Sequence, residues 1–122
     1  MNKKTYLTIG SVIVIAGMLV WWALNTETPD RTAFAQCLAA KNITMYGAEW
    51  CPHCQNEKRA FGPAFEFVPY VECPDESQVC LDKGIRGYPT WILPDGRKLE
   101  GEQGLDKLSA ESGCPLSPSL QL

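Results

Sequence analysis

The chain has 122 residues, enough for one domain, and a net charge of −3 with no basic cluster. That balance argues against nucleic acid as a partner, because nucleic-acid-binding domains carry basic patches. Six cysteines in so short a chain favour an oxidising compartment outside the cytoplasm.

The first predicted element is an uncharged apolar segment, residues 6–24, which follows Lys3 and Lys4. As a helix it spans about 28 Å, close to the apolar thickness of a bilayer. A cleaved signal peptide is the alternative, but its apolar region is shorter, roughly 7–15 residues, and ends in small residues. This segment ends in Trp21 and Trp22, which suit a membrane interface. We therefore expect a transmembrane signal anchor.

The two lysines favour the cytoplasmic side of the membrane. The expected organisation is a cytoplasmic N-terminus (residues 1–5), the anchor, a polar linker (25–30) and a domain of residues 31–122. That domain is expected to face the periplasm or the cell exterior. The chain is then a single-pass membrane protein.

Periodicity and turn residues predict an alternation of helices and strands in the exported part. The predicted helices cover about residues 28–41, 51–62 and 105–112, with a short one ending at 83, and the predicted strands cover 43–46, 67–72, 90–93 and 98–100. The first helix is expected to start at Thr28-Pro29-Asp30 and to end at Asn42, and Pro69 argues for an edge strand or an irregular start. The strand–helix–strand unit implies a parallel pair, and the hairpin adds an antiparallel strand. The predicted fold class is α/β, with a central mixed sheet of about four strands and helices on both faces.

The sequence Cys51-Pro52-His53-Cys54 follows a predicted strand and begins a predicted helix. At a helix N-terminus the first cysteine faces unpaired N–H groups and the positive end of the dipole, which favour its thiolate. The thiolate is both the attacking species and the better leaving group. His53 adds a positive or hydrogen-bonding group, and Cys54 is expected to be the resolving thiol. The motif therefore predicts a reactive, relatively oxidising disulfide.

Two other interpretations of this motif are weaker. A structural disulfide is one, although C-x-x-C loops are tight and easily reduced. Half of a zinc site is the other, but the remaining cysteines form no second C-x-x-C, and the only histidine lies inside the motif. We expect no metal and no cofactor beyond the cysteine pair.

The residues around this motif resemble the thioredoxin superfamily across most of residues 32–114. Two segments carry the resemblance, YGAEWCPHC (46–54) and GIRGYPT (84–90). The Pro-His dipeptide looks like the periplasmic oxidant DsbA. A more specific resemblance, to the thioredoxin-like domain fused to or partnering bacterial vitamin K epoxide reductase homologues, rests on FAQCL (34–38), MYG (45–47), CQ (54–55) and VPYVEC (68–73).

The resemblance implies a thioredoxin-like fold in which Pro89 is a cis-proline facing the redox pair. The backbone of Tyr88 would then be open to pair with an extended substrate segment. Trp50 would be a surface aromatic beside the active sulfur, and Thr90 completes the expected substrate-binding set.

Met45 is a departure from the thioredoxin pattern. Thioredoxin has a buried acid at this position, six residues before its first active cysteine, which helps to move a proton off the resolving thiol. Its absence argues against efficient thioredoxin-like reduction, and it fits the resemblance to the reductase-homologue partner, which also lacks the acid.

The four other cysteines allow three pairings. We favour Cys73–Cys80, which closes a short loop, and Cys37–Cys114, which ties the first helix to the C-terminal tail. By loop-closure entropy they would contribute up to about 2.5 and about 4.5 kcal/mol. The resemblance implies that Cys73–Cys80 is a second disulfide of the domain, with electron relay as the alternative to a structural role.

Three functions remain open at this point. In the leading one, the pair accepts electrons from cysteines of exported proteins and passes them to a quinone-reducing membrane partner, as the resemblance implies. In the second, an anchored thioredoxin-like protein reduces disulfides, for example during cytochrome c maturation. The third is a non-catalytic module that binds a metal or a partner and leaves Cys51 and Cys54 inert.

Overall fold

The computed structural model describes residues 2–24 and 31–116. The predicted linker, residues 25–30, lies outside the described residues, and so do the predicted helix start at Thr28-Pro29-Asp30 and the tail from 117 to 122.

The N-terminal apolar segment forms one helix, α1, over Lys3–Leu24, with all of its side chains exposed. It is long and apolar enough to cross a membrane. A signal sequence near the N-terminus can pass the same test of helix length and mean hydropathy.

The rest of the described chain folds into helices and short strands in the predicted order. In chain order the elements are α2 (Thr32–Ala40), β1 (Thr44–Gly47), α3 (Pro52–Phe61), a 3-10 helix (Gly62–Phe67), β2 (Tyr70–Glu72), α4 (Ser77–Asp82), β3 (Thr90–Ile92), β4 (Lys98–Glu100) and α5 (Leu105–Ser112).

The four strands form one mixed sheet in the order β2-β1-β3-β4. β1 runs parallel to β2, with Tyr46 opposite Val71, and antiparallel to β3. β3 and β4 form the antiparallel hairpin. The prediction of an α/β thioredoxin-like fold with a four-strand mixed sheet is confirmed.

The strand predicted over 67–72 begins later than expected. Gly62 has a φ of +61°, which ends α3, and the chain continues as the 3-10 helix Gly62–Phe67 with Pro63 in its first turn. Pro69 cannot donate to the ladder, although its carbonyl accepts from the Met45 amide at 2.9 Å. Its position fits the edge of the sheet, where β2 lies.

Asn42 ends α2 as predicted. Its φ is +56°, and the Ile43 amide reaches back to the Leu38 carbonyl at 2.9 Å while the Asn42 amide bonds Ala39 at 3.0 Å. This is a Schellman closure, in which asparagine takes the left-handed position. It turns the chain directly into β1.

The core lies between the sheet and the helices α2, α3 and α5. Trp91 of β3 is fully buried, and its ring centroid is 6.0 Å from that of Phe61, which stacks on Phe34 of α2. Other buried apolar side chains complete this layer: Leu38, Ile43, Met45, Ala64, Val68 and Leu108.

Two disulfides lie outside the C-x-x-C motif. Cys37 of α2 bonds Cys114, just after α5, with an S–S distance of 2.07 Å. Cys73 bonds Cys80 of α4 across a short loop, with an S–S distance of 2.03 Å. These pairings leave Cys51 and Cys54 as the free cysteines among the described residues.

Candidate active site at the N-terminus of α3

Cys51 is the N-cap of α3. Its backbone is extended, with φ −75° and ψ 120°, and Pro52 occupies the first helical turn without needing an amide partner. The Cys54 amide donates to the Cys51 sulfur at 3.3 Å, so the sulfur has the position that a capping oxygen usually takes. Negative charge on that sulfur is therefore favoured by the helix N-terminus.

A second contact orients the same sulfur. The Cys51 thiol donates to the Tyr88 carbonyl at 3.6 Å, and the Tyr88–Pro89 peptide bond is cis. Cys51 retains 5% exposure, whereas Cys54 is completely buried beneath it. A substrate sulfur can therefore reach Cys51 first.

Cys54 lies in an environment that favours the neutral thiol. Burial, followed by the hydrogen bond with Cys51, raises the pKa of Cys54 to about 12. The charge of Lys58 opposes this shift. At neutral pH the resolving cysteine is therefore protonated, and its attack requires a local group that takes the proton.

His53 lies on the solvent side of the motif. Its Nδ1 is 2.9 Å from Glu102 Oε2, and Asn56 donates to the same oxygen at 3.2 Å. The contacts with His53, then Asn56, hold the pKa of the Glu102 carboxyl below its usual range. Glu102 lies 49 residues from His53, and only the fold of the β4–α5 loop brings it to the motif, so local sequence patterns do not reveal it.

Glu57 is a second acid that local sequence patterns do not reveal. It is only 2% exposed, one turn beyond Cys54 on α3. Its carboxylate accepts from Trp91 Nε1 at 2.8 Å, the Gln103 amide at 2.9 Å and the Gly104 amide at 2.6 Å. Glu57 thus joins the redox helix to β3 and to the loop that carries Glu102.

The predicted substrate-binding residues differ in exposure: Trp50 is at the surface, and Thr90 is buried. Trp50 is 68% exposed, and its ring meets that of Tyr88 edge-on with centroids 6.0 Å apart. Thr90 is buried, and its hydroxyl donates to the Gly87 carbonyl at 2.8 Å. The Thr90 side chain therefore stabilises the loop that contains the cis-proline.

Within residues 2–24 and 31–116, no three histidine, cysteine or acidic side chains are placed to hold a metal ion. The chemistry available at this site is that of the two thiols: Cys51 can exchange disulfides with another chain, and Cys54 can resolve the product.

No family model matches the chain. It is 38% identical over 101 residues to Thiol-disulfide oxidoreductase LTO1 of Arabidopsis thaliana, a match covering 75% of this chain and 27% of the relative. It is 33% identical over 81 residues to Protein disulfide isomerase-like 2-2 of Oryza sativa subsp. japonica, covering 55% of this chain and 22% of the relative. A Protein disulfide-isomerase of Arthroderma benhamiae is 26% identical over 111 residues, which cover 80% and 18%.

The chain thus has homologues among thiol–disulfide oxidoreductases and protein disulfide isomerase-like proteins of the thioredoxin superfamily. Their names support a thiol–disulfide oxidoreductase. The matches cover 27% or less of each of these relatives' own length.

Proposed function

We propose that this protein is a membrane-anchored, extracytoplasmic thiol–disulfide oxidoreductase that oxidises cysteines of exported proteins. In this proposal the electrons pass to a membrane partner related to vitamin K epoxide reductase, which reduces a quinone. The observation that carries the proposal is the position of the Cys51 sulfur, which caps α3 and lies 3.6 Å from the Tyr88 carbonyl.

The reaction begins with the oxidised pair. A substrate thiolate attacks the Cys51 sulfur, the Cys51–Cys54 bond breaks, and Cys54 leaves with the electron pair and takes up a proton. A second substrate thiolate then attacks the substrate sulfur of the mixed disulfide and expels Cys51 as a thiolate. The substrate has lost two electrons, and the pair has become a dithiol that the membrane partner reoxidises.

The geometry supports oxidation because the products are stabilised. The expelled Cys51 thiolate remains at the positive end of α3. Burial of Cys54 favours its neutral thiol, so the reduced pair places no negative charge in the core. A site that stabilises the reduced pair gives up its disulfide readily.

Substrate binding in this proposal uses the surface above Cys51. Trp50 offers an exposed apolar ring that contacts the ring of Tyr88, the residue whose carbonyl accepts from Cys51. The backbone around Tyr88 can pair with an extended segment of the substrate, and main-chain pairing of this kind is independent of the substrate's side chains. Such a surface suits exported proteins of varied sequence.

The anchor is α1, with its two lysines in the cytoplasm and residues 31–116 in the periplasm or outside the cell. Tethering suits the proposal because it raises the effective concentration of the cysteine pair next to a membrane enzyme.

Cell fractionation tests the anchor. An anchored chain should remain in the membrane fraction at full length. Protease added outside intact cells or spheroplasts should digest the domain, whereas a cleaved chain in the soluble fraction would contradict the anchor.

The test of the redox direction is the reduction potential of Cys51–Cys54 in the full chain in detergent micelles. The protein is equilibrated with glutathione buffers, alkylated, and read by mass spectrometry of the peptide that contains both cysteines. A potential between about −120 and −200 mV, the range from DsbA to protein disulfide isomerase, supports oxidation. A potential near about −270 mV, as in thioredoxin, contradicts it and makes disulfide reduction the function.

The variant C73S/C80S is the matched control. If the second disulfide is a structural staple, the variant keeps the potential of Cys51–Cys54 and the rate at which the pair oxidises a reduced substrate protein. If only reoxidation by the membrane partner fails, Cys73 and Cys80 relay electrons.

A further inference from the structure

The resolving cysteine needs a proton acceptor that the α3 motif itself does not supply. Cys54 is fully buried, and Met45 of β1 is a buried apolar side chain that cannot accept a proton. A thiol must become a thiolate before it attacks a disulfide. Another group close to Cys54 therefore has to take its proton.

Gly47 marks where that group lies. A Cβ built on Gly47 would be 2.9 Å from the Cys54 sulfur, 3.2 Å from Cε2 of Tyr70 and 3.3 Å from the Tyr70 hydroxyl. The sulfur and the hydroxyl thus border the same small space in front of β1. Because Gly47 has no side chain, this space stays open to both groups.

The Tyr70 hydroxyl already has a partner for its proton. It donates to Glu72 Oε2 at 2.5 Å, which leaves the lone pairs of the hydroxyl oxygen available to accept. The other Glu72 oxygen accepts from the Glu49 amide at 2.8 Å, which fixes the carboxylate. Both side chains are half-buried at the sheet edge, so the carboxylate has access to solvent.

The charged and titratable groups around Tyr70 favour proton transfer over ionisation of the tyrosine. Burial, then the hydrogen bond to Glu72, raises the pKa of Tyr70, and the charges of Glu72, Cys54 and Cys51 raise it further. Lys58 Nζ lies 4.0 Å from the centroid of the Tyr70 ring, and its charge favours the Cys54 thiolate. Tyr70 can therefore pass a proton on without becoming a stable anion.

We propose that Tyr70 and Glu72 form the proton path of Cys54, an inference that rests on the redox function proposed above. As the Cys54 proton moves to the Tyr70 oxygen, the tyrosine proton moves to Glu72. The Cys54 thiolate attacks the Cys51 sulfur of a mixed disulfide, and the bond from Cys51 to the other chain breaks. That chain leaves as a thiolate and takes a proton from solvent, while Glu72 releases its proton to solvent. In the opposite direction, the path delivers a proton to the departing Cys54.

The test follows the resolving step in the full chain in detergent. The reduced protein reacts with glutathione disulfide: Cys51 forms the mixed disulfide, and Cys54 then expels glutathione. Acid quenching and mass spectrometry give the population of each species with time. Y70F and E72Q should slow the second step by about 100-fold at pH 7, the lower end of what a positioned base contributes, so that the mixed disulfide accumulates.

A pH profile separates this role from a structural one. The deficit of Y70F and E72Q should narrow as pH rises, because hydroxide then replaces the local acceptor. The first step, measured in a C54S background with and without Y70F, should proceed at equal rates. Y46F and E66Q are the matched controls, because Tyr46 lies on the opposite face of β1 and Glu66 is exposed. Both should resolve like the unaltered protein.

Resolution by Y70F at the unaltered rate from pH 5 to pH 8 would overturn the proton path, and so would equal slowing by Y46F. If the unaltered protein itself forms no Cys51–Cys54 disulfide with glutathione, the proposed redox function has failed instead. The two failures are therefore distinguishable in the same experiment.

Discussion

One carboxylate lies on the buried side of α3 and another lies beside its exposed side. The first is Glu57 of α3 itself, and the second is Glu102 of the β4–α5 loop. Glu57 points inward and accepts from Trp91, Gln103 and Gly104. Glu102, on the same β4–α5 loop that Glu57 holds, points outward to His53. Both are acids with hydrogen-bonded partners near the redox motif. One set of these contacts stabilises the fold, and the other only adjusts the charge beside the cysteines.

Burial decides the answer. An acid in the core has given up its hydration, and its partners have no water to replace it, so each lost hydrogen bond costs the desolvation of a donor. Water and ions compete with the exposed contact between His53 and Glu102, and exposed pairs of this kind contribute little to stability. We therefore assign Glu57 to the fold and Glu102 to the local charge of the motif.

Removing the inner carboxylate has the largest expected effect. E57A leaves Trp91 Nε1 and the amides of Gln103 and Gly104 without their acceptor, and it opens a cavity next to α3. We expect a loss of about 3 kcal/mol in the free energy of unfolding, since a buried unsatisfied donor costs about 1–3 kcal/mol and two of the three are only partly buried. Chemical denaturation of the full chain with its disulfides intact measures it.

E57Q sharpens this prediction, because glutamine keeps the shape but supplies one acceptor oxygen instead of two. The loss in the free energy of unfolding for E57Q should lie between zero and the loss for E57A. An E57A protein as stable as the unaltered one would show that the inner carboxylate does not hold the loop, and the contrast between the two sides would disappear.

The next prediction concerns the close packing behind Cys54. G47A places a methyl group 2.9 Å from the Cys54 sulfur and 3.2 Å from the Tyr70 ring, contacts too short to keep without movement. Overpacking of this kind should cost about 1–3 kcal/mol in the free energy of unfolding. G87A is the matched control, because nothing lies within 4 Å of its added Cβ. Equal stability of the two variants would mean that the space in front of Gly47 is not tightly filled.

The sequence predicts the parts of this fold that depend on neighbouring residues. The start of α3 at Cys51-Pro52, the end of α2 at Asn42 and the hairpin follow from capping, proline and turn chemistry within a few positions. The strand predicted over 67–72 began late, because the chain after Gly62 continued as a 3-10 helix. Apolar residues in that segment pack equally well in either conformation, so their pattern did not distinguish the two.

The acids of the site lie beyond the reach of such patterns. Glu57 is flanked by polar residues and resembles any solvated helix position, and its donors are 34 to 47 residues away. Tyr70 and Glu72 lie on the same face of β2. Their position next to the space that the Cys54 sulfur borders depends on the parallel pairing of β1 with β2. The cysteines of the motif could be identified from the sequence, whereas the groups that handle protons around them required the fold.

The smallest expected effect belongs to the outer carboxylate. E102Q should shift the denaturation midpoint at pH 7 less than G47A does, and 1 M salt should remove the remaining difference, because exposed charges are screened. The lowered pKa of Glu102 gives a pH signature: its contribution to stability is present above the usual value of 4.5 and is lost as pH falls through the lowered value. E102Q should therefore lose less stability than the unaltered protein on acidification below pH 4.5. A loss at neutral pH as large as that of E57A would instead place both carboxylates in the fold, and the outer side of α3 would no longer be the side that only adjusts charge.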